Sequence, residues 1–304
     1  MNQNDIRSLE PKALWENFYS ITQVPHPSGK KEEIGAFLEQ FGKNLGLETL
    51  RDEAGNVLVR KPATQGMENR KAVVLQAHMD MVPQKNSGVA HNFETDPIQA
   101  YVDGDWVTAK DTTLGADNGI GLAAAMSVLQ STDIAHPAIE MFVTVDEETG
   151  MHGAFGLQPG FLKGDILINM DSEDEGELYV GCAGGIDADI TFRYKEVEVP
   201  VGDVALKISL TGLKGGHSGV DIHLQRANAN KLMFRFLKVA VSDLDARLAS
   251  IDGGSLRNAI PREAFLVLTV PEDAVDDMID FVKACEELFI EEYAGVQDNI
   301  LTMV

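Results

Sequence analysis

"KAVVLQAHMDMV", residues 71–82, opens as an apolar run and ends on a histidine and an aspartate. Val73 to Ala77 read as a buried strand. His78 and Asp80 follow two residues apart, so on a strand both side chains leave the same face. An aspartate beside a histidine can accept its second ring N–H and fix its tautomer for a metal. By itself the pair is more often a His–Asp hydrogen bond with no metal. What the stretch decides is the kind of sheet: a buried strand whose end runs into polar chemistry.

Two further apolar runs end the same way. "IEMFVTVDEE" (139–148) ends in Asp146, Glu147 and Glu148, and "DILINMDSE" (165–173) carries Asp171. The spacing predicts helices over "LEPKALWENFYSIT", "KKEEIGAFLEQFGKNLG" and "DNGIGLAAAMSVLQS", and a short strand at "NVLVRK". Helices set before strands predict a doubly wound α/β layer with a mixed sheet. After "GCAGG" (181–185) the pattern changes. "DADITFRY", "ALKISLTGL" and "EAFLVLTV" alternate as half-buried strands do. "NANKLMFRFLKVAVSDL" and "AVDDMIDFVKACEELFIEEY" read as amphipathic helices. The expected division is residues 1–185 and an α+β domain over 186–304.

Ligands in open α/β sheets gather outside the carboxyl ends of strands. A fourth element joins these ends: "TTLGADNGIG" places Asp117 at a loop-to-helix junction, where N-capping is the ordinary use of an aspartate. "DEETG" alone is an acidic turn. Taken together, one histidine and several carboxylates converge on one sheet edge and repel one another unless divalent cations neutralise them. Histidine with carboxylates suits zinc, with cobalt or manganese as substitutes.

Composition narrows the alternatives. The 304 residues carry 25 basic and 48 acidic side chains, a net charge of −23. Nucleic acid and anionic membranes are therefore poor partners. Hydrophobic residues make up 44%, enough for a sizeable core. No apolar run approaches the roughly 20 residues that span a bilayer, and "MNQNDIRSLEPKALWENF" lacks the pattern of a signal peptide. Cys182 and Cys285 fit no CxxC pattern and are expected as free thiols. The expectation is a cytoplasmic protein.

In order, these stretches resemble the M20 family of metallopeptidases. The likeness is carried by "SITQVPHPSGKKEEI", "KPATQGMENRKAVVLQAHMDMVPQK", "TTLGADNGIG", "GAFGLQ", "ILINMDSEDEGELYVGCAGGID", "LKGGHSGVDIH" and "GGSLRNAIPREAF". It implies a zinc-peptidase catalytic domain over 1–185 and a lid or dimerisation domain over 186–304. Position by position, it implies His78, Asp117, Glu148 and Asp171 as metal ligands, with Asp117 bridging two ions and Asp80 orienting His78. It implies Glu147 as general base and His217 of "GGHSG" as a group reaching the substrate carbonyl or its oxyanion. It further implies a cis bond after Asp117 and a homodimer formed through the lid. Asn258 and Arg262 match a lid signature without an assigned role. Asp111 stands where the family usually has glycine, and tolerates a positive φ better than most residues.

The implied activity is hydrolysis of dipeptides, Xaa-His or broad in specificity, by a water activated between two zinc ions. Deacylation of N-acyl amino acids and aminopeptidase action are alternatives with the same chemistry, and a non-catalytic dimerisation or metal-binding module is another. The family supplies one more histidine, to the second metal, after the lid. None of the seven histidines here (26, 78, 91, 136, 152, 217 and 223) stands in that context. The expectation is a C-terminally truncated chain, incomplete in both domains. Its first site keeps three protein ligands and its second only Asp117 and Glu148, so it is expected to be weakly active or inactive.

Overall fold

A computed structural model describes residues 5–172, 174, 176–182, 184, 186, 188–297 and 302–303. Glu173 and Glu175 behind Asp171, Asp187 at the start of "DADITFRY" and most of the tail after Gln297 lie outside the described residues. The chain forms two compact units, Met1–Gly185 and Ile186–Val304.

The first unit begins with α1 (Lys12–Thr22) and α2 (Glu32–Asn44), then β1 (Glu48–Arg51), β2 (Val57–Lys61) and β3 (Val73–His78). A hairpin of β4 (Ala100–Asp103) and β5 (Trp106–Ala109) follows, then α3 (Ala116–Gln130), β6 (Ile139–Thr144), the short α4 (His152–Gly156) and β7 (Ile166–Asn169). The five-stranded sheet runs β1-β2-β6-β3-β7. It is mixed: β3 is parallel to β6 and β7, while β2 is antiparallel to β6 and β1.

Strand alternation sorts the core onto two faces. Val57, Val59, Leu75, Ala77, Met141 and Val143 pack against Phe18, Ile21, Ile34, Leu38, Leu122 and Met126 of the three long helices. Leu58, Val74 and Phe142 point the other way and meet Leu157, Phe161 and Leu162. All six residues of β6 are buried, as a central strand requires. That includes Glu140, whose carboxylate is held by Arg60 Nε at 2.7 Å and by the Lys163 and Gly164 N–H groups.

The second unit contains β8 (Asp203–Thr211), α5 (Ala229–Asp243), β9 (Arg247–Gly253), β10 (Ala264–Pro271), α6 (Val275–Glu292) and β11 (Thr302–Met303). Its antiparallel sheet has the order β11-β8-β10-β9. Ile208, Leu210, Leu266, Leu268 and Val270 pack against Leu232, Met233 and Phe236 of α5 and Met278, Val282 and Phe289 of α6. Arg235 joins the two helices through a bidentate pair with Glu292, at 2.6 and 2.7 Å.

Three details depart from the sequence reading. β6 stops at Thr144, so the three acids sit in a turn, with Asp146 in the left-handed region at φ 52°. The strand expected over "DADITFRY" does not form among its described residues, and Ile190, Phe192 and Tyr194 there are exposed. Alternation makes a strand only where a neighbour takes up its backbone hydrogen bonds. β3 is preceded by β2 and not by a helix.

Candidate metal centre

His78 closes β3 and is 1% exposed. Its Nδ1 lies 2.9 Å from the Asp80 main-chain oxygen, closer than the Asp80 carboxylate at 3.4 Å. A carbonyl only accepts, so Nδ1 carries a proton and donates. Nε2 then faces Asp117 Oδ1 at 3.0 Å and Asp171 Oδ2 at 3.6 Å. In a neutral ring Nε2 is an acceptor too, so a proton or a cation has to lie between these groups.

Asp117 comes from the start of α3. Gly115, at φ 73°, takes the N-cap position with no side-chain cap bond. Asp117 and Asn118 have non-helical backbone angles, and the Asp117–Asn118 peptide is cis. The Asp117 carboxylate faces His78. Asn118 is buried, and its Nδ2 donates to Asp171 Oδ1. Gly121 one turn on is packed against Asn118 and Met170. Asp171 lies two residues beyond β7, and its N–H donates to Asn169 Oδ1 at 2.8 Å.

The turn after β6 supplies the remaining acids. Asp146 Oδ1 accepts the Gly29 N–H at 2.7 Å, and the Glu147 N–H donates to Asp80 Oδ1 at 3.0 Å. Beneath the turn, buried Asn56 accepts the Val145 N–H. Asp146 is therefore tied to the neighbouring loop, while Glu147 and Glu148 reach the cluster. His78, Asp117 and Glu148 offer ligand atoms within 4.8 Å of one another, and so do His78, Glu147 and Asp171.

Charge crowding dominates this corner. Glu148 is pushed up to about 8, first by burial and then by the Asp117 and Glu147 charges, against the pull of His78. Burial and Asp117 raise Asp171 to about 6, again opposed by His78. Burial alone would lower His78, but the surrounding Asp117, Asp80 and Asp171 carboxylates outweigh it and hold the ring up to about 11. At neutral pH Glu148 retains a proton that a divalent cation would displace. One imidazole nitrogen with two carboxylate oxygens is a normal donor set for a catalytic zinc, whose bonds of about 2.0–2.2 Å fit a slightly contracted cluster. The donor set fits a metal.

The second unit holds the other predicted residues. His217 Nδ1 accepts the Gly219 and Val220 N–H groups at 3.0 and 3.1 Å. Its ring proton therefore sits on Nε2, the form that can donate to an oxygen. The "GGHSG" and "RNAIPRE" stretches meet: Ser218 N–H donates to the Asn258 carbonyl and Ile260 N–H to that of Gly216. Arg262 Nε donates to the Leu213 carbonyl. Asp111 has φ 63°. Sequence reasoning did not single out Ser28, Asn56 or Asn118. "VPHPSG" entered only as part of a stretch carrying the family likeness, and nothing in it pointed to Asp80.

Comparison with known proteins places this geometry in context. Residues 208–297 match the M20 peptidase dimerisation domain. The chain is 50% identical over 301 residues to the cytosol non-specific dipeptidase of Escherichia coli (strain K12), covering 99% of this chain and 62% of that protein. It is 28% identical over 187 residues to an uncharacterised Bacillus subtilis (strain 168) protein, YqjE, covering 57% of this chain and 47% of that one. The crystal structure of the aminoacylhistidine dipeptidase from Vibrio alginolyticus matches with a TM-score of 0.58 at 48% identity, over 98% of this chain and 61% of that one. The chain thus spans about three fifths of the length of these two dipeptidases.

Proposed function

We propose metal-dependent hydrolysis of dipeptides, because the chain is 50% identical over 99% of its length to a dipeptidase and residues 208–297 match the peptidase dimerisation domain. The reading rests above all on His78, a buried imidazole whose Nε2 faces carboxylates delivered by separate segments of the chain. His78, Asp117, Asp171 and Glu148 would hold the metal. Zinc is the proposed ion, with cobalt or manganese as substitutes. When bound, such an ion supplies Lewis-acid polarisation of the scissile carbonyl and an acidified water.

The chain's own residues do the remaining work. The main-chain carbonyl of Asp80 holds His78 in its Nδ1–H form, with the Asp80 carboxylate behind it. Glu147, whose backbone is pinned by Asp80, takes a proton from the attacking water and passes it to the leaving amine. His217, protonated on Nε2, is assigned to donate to the developing oxyanion. The 208–297 domain is assigned to homodimer formation, and the proposed location is the cytoplasm.

The test uses the purified full chain with added zinc. We expect metal binding, and weak hydrolysis of Xaa-His dipeptides that is still faster than that of N-acetyl amino acids. Glu147→Ala should keep the metal and lose about 10²–10⁴ in rate. Equal rates for the two proteins would overturn the assignment of Glu147. A chain that binds no zinc would overturn the metal centre.

A further inference from the structure

We propose that Ser28 is a positioning residue of this centre, acting through Asp80; the proposal rests on the metal-centre reading above. Residues 26–29 connect α1 to α2 and lie along the end of β3. The segment is docked there by its main chain: Met81 N–H donates to the His26 carbonyl at 3.0 Å and Ser28 N–H to the Met81 carbonyl at 3.1 Å, beside a Pro27–Met81 bridge. To this docking the Ser28 hydroxyl adds only a longer bond to the Met81 carbonyl, at 3.3 Å.

The hydroxyl goes to the centre. Ser28 Oγ donates to Asp80 Oδ2 at 2.7 Å. The other oxygen, Oδ1, accepts the Glu147 N–H and lies 3.4 Å from His78 Nδ1. Asp80 is 5% exposed, so water does not readily replace a lost donor. Its carboxylate plane is therefore set by Ser28 on one side and Glu147 on the other. Without the hydroxyl, Oδ2 loses its donor and the carboxylate is free to turn between His78 and Glu147. One rotation would then disturb both a proposed ligand and the proposed base. Gly29 adds a parallel tie through its N–H to Asp146, so the loop steadies the acidic turn from two directions.

The experiment compares wild type, Ser28→Ala and Ser28→Thr as full chains stripped of metal. Zinc affinity is measured by competition with a chromophoric chelator, and the visible absorption of the cobalt form reports ligand geometry. Ser28→Ala should bind zinc about 10–100-fold more weakly, the usual cost of removing a partner behind a ligand, and shift the cobalt bands. Its metal-free melting temperature should fall by only a few degrees, the cost of one unsatisfied buried acceptor, because the main-chain docking remains. Ser28→Thr should restore affinity and spectrum. If the alanine variant fails to fold, Ser28→Cys, with its weak donor, is read in its place. Wild-type affinity and spectrum in the variant lacking the hydroxyl would overturn the proposal, as would a threonine variant as weak as alanine. A wild type that binds neither zinc nor cobalt would instead overturn the metal-centre reading, and this proposal with it.

Discussion

Gly121 lies within α3, and helix propensity alone favours alanine there by about 1 kcal/mol. Packing opposes the substitution. A Cβ at Gly121 would stand 2.2 Å from Asn118 Oδ1, 2.5 Å from the Met170 carbonyl oxygen and 2.9 Å from Met170 Cβ. Ordinary contacts need about 3.5 Å or more. The first neighbour cannot swing away freely, because Asn118 is buried and its amide also holds Asp171. The second is backbone, fixed in turn by the Met170 N–H bond to the Gln76 carbonyl. Overpacking of this kind costs about 1–3 kcal/mol, and a backbone neighbour argues for the upper end. After the propensity gain, a net loss of about 1–2 kcal/mol remains, a melting point lower by roughly 2–8 °C. The same displacement moves Asn118 and Asp171, so zinc affinity should fall about tenfold. Thermal melts of metal-free Gly121→Ala and a zinc titration measure both effects. A variant that melts at or above wild type with unchanged zinc affinity would refute the steric argument.

Two more outcomes follow from the charges. His78, Glu148 and Asp171 all have folded values above their unfolded ones, at about 11, 8 and 6 against 6.5, 4.5 and 3.8. The metal-free folded protein therefore holds more protons than the unfolded chain between about pH 4 and 11, and their contribution to stability declines as pH rises through that window. Melts in chelator should show the decline from pH 5 to 8, while zinc affinity rises over the same range; stability rising with pH in chelator would contradict the crowding. Across the β2–β6 pair, Arg60→Ala should cost about 3 kcal/mol by stranding the buried Glu140 of β6. Denaturant titration with Glu140→Ala and the double variant should show the two losses to be far from additive.

Much of this was readable in the sequence, for physical reasons that differ by element. β3, β8, β10, α5 and α6 announce themselves because each buries one face or runs through a core, and burial imposes a period. The acidic turn did not. Its apolar run suggests a strand through Glu148, but β6 yields after Thr144 to a turn made by backbone geometry at Asp146. The β4–β5 hairpin carries a Gly-Asp turn at residues 104–105 that could have located it. At the centre, His78, Asp117, Glu148 and Asp171 stood out as chemistry at element ends. Ser28, Asn56 and Asn118 did not, since their partners lie 52, 89 and 53 residues away. Only folding discloses such pairings.

That separation has a consequence during synthesis. Ser28 and Asp171 are roughly 140 residues apart, and at about 5–20 residues per second a ribosome needs roughly 7–30 s to deliver the second after the first. Over that interval the nascent chain offers His78 and a few scattered carboxylates, with no closed cage. An ion met early finds only weak, open coordination and can leave. Under the proposed metal centre, selection among ions would fall to the finished geometry and not to whichever ion arrives first.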